Sequence, residues 1–134
     1  MIDYESQIFD YIALSLRSEF NGIFITGETM SAPSKFPAVS FVEKSNTVYQ
    51  KSQDSESLEN HSNVMYEVNI YSNLTYDKKA QVKEILNSLD EKMQSIGFTR
   101  TFGQPIDNLE NTSIYRYTAR YTAVIGKNKF VYRK

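Results

Sequence analysis

Residues 112–126 alternate strictly, with Tyr115, Tyr117, Ala119, Tyr121, Ala123 and Ile125 on one side and Ile114, Arg116, Thr118, Arg120, Thr122 and Val124 on the other. Side chains of a strand point to opposite faces in turn. The pattern therefore predicts a long antiparallel strand with an aromatic buried face and a polar, cationic outer face. Residues 64–72 repeat the theme, setting Val64, Tyr66, Val68 and Ile70 against Met65, Glu67, Asn69 and Tyr71. Shorter apolar runs predict strands at 22–27, at 38–43 with a continuation toward Val48 and Tyr49, and at 98–102. Proline donates no ladder hydrogen bond, so Pro37 delays the second of these to Ala38.

Two segments follow the helical period instead. In residues 4–20, Ile8, Ile12 and Leu16 recur at four-residue spacing, and Phe9, Ala13 and Phe20 widen the stripe. Asp3 is placed to cap this helix, and Asn21-Gly22 to stop it. In residues 77–96 the stripe is Val82, Ile85, Leu86, Leu89, Met93 and Ile96, with Gly97 as the stop. A turn-rich piece at 103–108 and a polar loop at 51–63 separate the remaining elements, and a short apolar piece at 130–132 follows the last strand. The order is α-β-β-β-α-β-β. It predicts one α+β domain over residues 1–134, an antiparallel or mixed sheet covered on one face by the two amphipathic helices.

Composition adds exclusions more than chemistry. The chain has 10 Tyr and 8 Phe, which offset a modest 40% apolar content by burying large rings. Its mean hydropathy is −0.48. A net charge of −1 gives no global field for nucleic acid or an acidic membrane. The charge is uneven, because residues 112–134 hold no acid but carry Arg116, Arg120, Lys127, Lys129, Arg133 and Lys134. With no cysteine, thiol catalysis, disulfides and cysteine-ligated zinc are excluded. No run spans a bilayer and the first residues do not form a secretory signal, so a soluble cytoplasmic protein is expected.

The usual catalytic signatures are missing. His61 stands alone in the polar loop without spaced ligands, and Asp54, Glu56 and Glu59 lack the spacing of a calcium loop. There is no Gly-x-Ser-x-Gly elbow and no glycine-rich phosphate loop. No catalytic residue, cofactor or metal is expected. Arg116 and Arg120 share a strand face with threonines, and the tyrosines share the other with alanines, a partition that buries the aromatics instead of offering them to bases.

The run Phe36-Pro37-Ala38-Val39-Ser40-Phe41-Val42-Glu43-Lys44 resembles a segment of small neck and tail-completion proteins of phages and prophages of Gram-positive bacteria. The likeness continues through Asn60-His61, residues 64–73, 90–93, 97–101 and 114–123, and so covers most of the chain. The α-β-β-β-α-β-β plan is also similar to that of tail terminator proteins of long-tailed phages. The resemblance implies a non-enzymatic virion protein, assembled in the host cytoplasm and located at the tail–head junction. Such proteins form a hexameric ring that caps the tail tube and joins the tail to the head connector. The implied partners are other copies of the chain, the tail-tube protein and connector or neck proteins, with DNA passing through unread and no membrane involved. On this reading the loop residues Lys51, Asp54, Glu56 and Glu59 and the basic residues Arg116, Arg120, Lys127, Lys129 and Arg133 are the expected subunit or partner contacts. A stopper is the alternative within the class; a nucleic-acid-binding module or a small enzyme is the alternative outside it.

Overall fold

A computed structural model of the chain describes residues 3–30, 33–48, 61–107 and 113–126. The elements are α1 (Glu5–Glu19), β1 (Phe24–Thr26), β2 (Ala38–Val48), β3 (His61–Ser72), α2 (Lys78–Ser95), β4 (Thr99–Ile106) and β5 (Tyr115–Gly126). The strands form one five-stranded sheet in the order β1-β2-β3-β5-β4. It is mixed: β1 pairs with β2 in parallel, and every other pairing is antiparallel. This is the expected α+β architecture, with β1 as a short edge strand of three residues.

The helices cover one face. Ile8, Ile12 and Leu16 of α1 and Val82, Ile85, Leu89 and Met93 of α2 are fully buried, in one cluster with Val39 and Phe41 of β2, Val64 to Ile70 at alternate positions of β3, and Ala119, Tyr121 and Ile125 of β5. The alternation in the sequence is thus what points these side chains at the helices. A band of rings crosses beneath them. Phe9 lies 6.4 Å from Phe41, Phe41 stacks on Tyr66 at 4.6 Å, and Tyr66 meets Phe98 edge-on at 5.5 Å. Phe41 and Tyr66 are diagonal neighbours, since Tyr66 pairs with Glu43.

Polar ties join the layers where the apolar stripe ends. Glu19 of α1 accepts from Lys92 at 2.7 Å and from Ser88 at 2.8 Å, both on α2, and these bonds hold its carboxyl below the ordinary carboxylate value. Asp90 of α2 accepts from the Tyr121 hydroxyl at 2.9 Å and from Arg100 at 3.1 Å, reaching β5 and β4 from one side chain.

Several boundaries depart from expectation. Tyr4, not Asp3, occupies the capping position of α1, although the Asp3 carboxylate still accepts the Glu5 N–H at 3.1 Å. His61, Ser62 and Asn63 are not loop but the start of β3, paired with Gly126, Ile125 and Val124. Residues 103–106 are not a turn but the second half of β4, which pairs with β5 up to Ile106↔Arg116. Gly103 and Pro105 fit there because β4 is an edge strand. A Cβ at Gly103 would sit 2.8 Å from both Arg100 Nη1 and the Tyr117 hydroxyl. The register of β4 also shifts between Arg100 and Phe102, a bulge at Thr101. The remaining stops are as read from sequence: Gly22 and Gly97 take positive φ (83° and 95°) beyond α1 and α2. The loop from 51 to 60 and residues 127–134, with the apolar piece at 130–132, lie outside the described residues.

Candidate functional site

Among the described residues, no helix lies on the sheet's second face. Its side chains line up in rows set by the register: Ala38, Tyr71, Arg116 and Ile106; then Ser40, Asn69, Thr118 and Gln104; then Val42, Glu67, Arg120 and Phe102. Lateral bonds run along the rows and between them. Arg120 Nε donates to Glu67 Oε2 at 3.1 Å, and its guanidinium lies 5.0 Å from the centre of the Phe102 ring. Asn69 Oδ1 accepts from Arg116 Nε at 3.0 Å and from Thr118 Oγ1 at 2.6 Å. The Arg116 guanidinium also lies 5.6 Å from the Tyr71 ring.

The segment between β1 and β2 folds over one end of this face. Ser40 Oγ donates to the Glu28 carbonyl at 3.0 Å, and the Tyr71 hydroxyl donates to the Met30 carbonyl at 3.0 Å. Burial pushes the Tyr71 hydroxyl up, against the pull of Arg116. Beyond that end Arg120 is exposed and Met65, Glu67 and Thr122 are half-buried, before Val124 is buried again. Arg116, Arg120, Glu67 and Asn69 are already held by neighbours and lose little freedom when covered.

On the helix side, near the start of α1, Glu5, Ser6, Phe9, Asp10, Gly27, Phe41 and Tyr66 line a cavity of about 320 Å³. Beside it the carboxylates of Asp3, Glu5 and Glu43 gather within 4.8 Å of one another. Burial, followed by the Glu5 and Asp3 charges, pushes the Glu43 carboxyl up, opposed by a hydrogen bond from the Tyr66 hydroxyl at 3.4 Å. Carboxylates clustered on a surface assign no ion by themselves, and no metal ligand set is drawn from them.

Of the contacts expected from sequence, the structure describes Arg116 and Arg120, which it brings to one face and engages internally. Lys51, Asp54, Glu56, Glu59, Lys127, Lys129 and Arg133 lie outside the described residues. The acidic cavity was not foreseen, although one signal was present. Val39, Phe41 and Glu43 alternate inward, so the strand pattern aims a carboxylate at the helix side of the sheet. No protein-family model and no curated protein matches the chain.

Proposed function

We propose that the chain is a non-enzymatic virion assembly protein of the tail-terminator type. On this reading it forms a ring of its own copies, caps the tail tube and joins the finished tail to the head connector. The observation that carries the reading is the open face of the sheet. Among the described residues helices close one side only. On the other, Ala38, Ser40, Asn69, Tyr71 and Thr118 are buried, while Val42, Met65, Glu67, Phe102, Arg116 and Thr122 are half-buried and Arg120 is exposed, with lateral hydrogen bonds from Arg116, Thr118 and Arg120 to Asn69 and Glu67. A stiff, mixed polar and aromatic surface of this kind suits contact with another protein. The resemblance over residues 36–44, 64–73 and 114–123 supports the specific role. DNA passes such a ring without being read, in keeping with guanidinium groups occupied by Glu67 and Asn69.

Light-scattering mass of the purified chain, followed by negative-stain imaging with purified tail tubes, tests this. The expected outcome is a closed oligomer, or closure on contact with the tube, with density at one tube end. A chain that stays monomeric at high concentration and leaves the tubes bare overturns it.

A further inference from the structure

We infer that the cavity between α1 and β2–β3 seats a cationic side chain from residues 127–134 of a second copy of this chain, an inference that rests on the ring reading above. The walls of the cavity are the rings of Phe9, Phe41 and Tyr66, and Glu5 and Asp10 supply its charged lining. Its volume of about 320 Å³ falls within the range of ligand-sized clefts, roughly 300–1,000 Å³. Phe41 and Tyr66, buried and stacked on each other, close its floor, and the half-buried Phe9 is the ring against which an alkyl stem packs while the exposed Glu5 and Asp10 carboxylates accept the N–H groups at its tip. Anions are repelled from the same place.

These acids also lack a cation of their own among the described residues. Among the described residues the ion pairs join Glu19 to Lys92, Asp90 to Arg100 and Glu67 to Arg120, and none involves Asp3, Glu5, Asp10 or Glu43. Burial first, and then the Glu5 and Asp3 charges, push the Glu43 carboxyl up beside them.

The occupant is argued from charge and direction. Residues 127–134 read Lys-Asn-Lys-Phe-Val-Tyr-Arg-Lys, with four cations, two aromatics and no acid. This is the complement of an acidic, ring-walled cavity. Strand β5 runs from the level of Ser72 toward that of His61, so at Gly126 the chain heads away from the row of Glu43, Tyr66 and Tyr121.

The test uses full-length protein and a synthetic peptide of residues 127–134. Glu5→Gln with Asp10→Asn removes two charges at exposed positions and leaves the core untouched. The wild-type protein is expected to bind the peptide with NMR shifts centred on Phe9, Phe41 and Tyr66. Binding should weaken about tenfold in the double variant and vanish for a peptide with its Lys and Arg changed to Gln. Equal binding by the two proteins, or shifts confined to the open sheet face, overturns the assignment. So does binding of N-acetyl-lysine methylamide with the peptide ignored, which makes the cavity a small-amine site. Carboxylate–amine cross-linking of mixed heavy and light chains then reads the source of the segment: heavy–light links between Lys129 and the α1 acids are expected, and links confined within single chains overturn the second-copy assignment. The ring reading is scored separately by mass and tube capping. A closed mass and tube capping unchanged in the Glu5→Gln, Asp10→Asn variant sink the seat and leave the ring standing.

Discussion

Glu43 carries a carboxyl whose charged form its surroundings disfavour. It occupies an inward position of β2, where Val39 and Phe41 before it are buried. Burial first, and then Glu5 and Asp3, hold its carboxyl above the ordinary value of 4.5. A proton therefore binds the folded chain more tightly than the unfolded one, and ionised Glu43 subtracts stability at neutral pH. That loss fades as pH falls through the raised value and is gone below 4.5. Glu43→Gln keeps an oxygen to accept the Tyr66 hydroxyl while removing the charge. It should raise Tm by about 1–3 °C at pH 7, and thermal melts near pH 4 should show wild type and variant converging. Other single residues were readable from pattern alone. Gly22 and Gly97 sit at helix ends because positive φ is cheap only there. Asp77 takes φ 58° before α2 with no side-chain cap bond, a conformation that no sequence signal announced.

The element that best repays attention is α2, because it ties the sheet together by more than its apolar stripe. Its Asp90 receives the hydroxyl of Tyr121, a fully buried side chain, and the guanidinium of Arg100. Asp90→Ala strands that hydroxyl, and a buried unsatisfied group costs about 1–3 kcal/mol. Urea unfolding should show a lower midpoint with an unchanged slope. Adding Tyr121→Phe should restore part of the loss, since no orphaned hydroxyl remains. Elements were legible wherever one periodicity ran unbroken: both helices, β3 after Asn63 and the whole of β5 lie where alternation or the helical stripe put them. They were misread where composition spoke against pairing. The polar start of β3 looked like loop because His61, Ser62 and Asn63 carry no apolar signal, and only the register with β5 makes them strand. The Gly103 and Pro105 half of β4 looked like turn because those residues weaken a central strand, and an edge position removes the objection.

For the molecule as a whole, the two-sidedness of the sheet follows from the sequence, because β5 writes aromatics on one face and Arg and Thr on the other. What the open face does with its cations was not legible. Arg116 and Arg120 bond to Asn69 and Glu67 of β3, 47 and 53 residues earlier in the chain, and Arg120 also lies over Phe102 of β4, so only the register tells that they are engaged. This changes the variants worth making. Arg120→Glu faces Glu67 directly and so disturbs the fold along with any contact, whereas Arg120→Gln removes the charge and keeps a donor. Arg120→Gln should leave Tm within a few degrees, as expected for a half-exposed pair worth roughly 0–1 kcal/mol. If the open face is an assembly surface, its binding to tail tubes should weaken, and co-sedimentation measures this. The polar loop calls for a similar adjustment. Because β2 and β3 pair through Val48↔Ser62, a deletion meant to spare the sheet must stop at residue 60. Removing residues 51–60 and closing the gap with a short Gly-Asn linker should preserve the circular-dichroism spectrum and the melt, and abolish oligomer formation seen by light scattering.

The two borders of the sheet have a consequence for crowding. Among the described residues one is the three-residue β1 continued by β2 from Phe41 onward, where the register shifts between Glu43 and Ser45, and the other is broken by the Thr101 bulge and lacks an N–H at Pro105. Neither offers a long, flat row of unpaired amides on which another chain can crystallise its backbone. Copies packed at very high local concentration are thereby steered away from runaway fibre growth and toward side-chain contacts, whose number is finite and whose geometry can close.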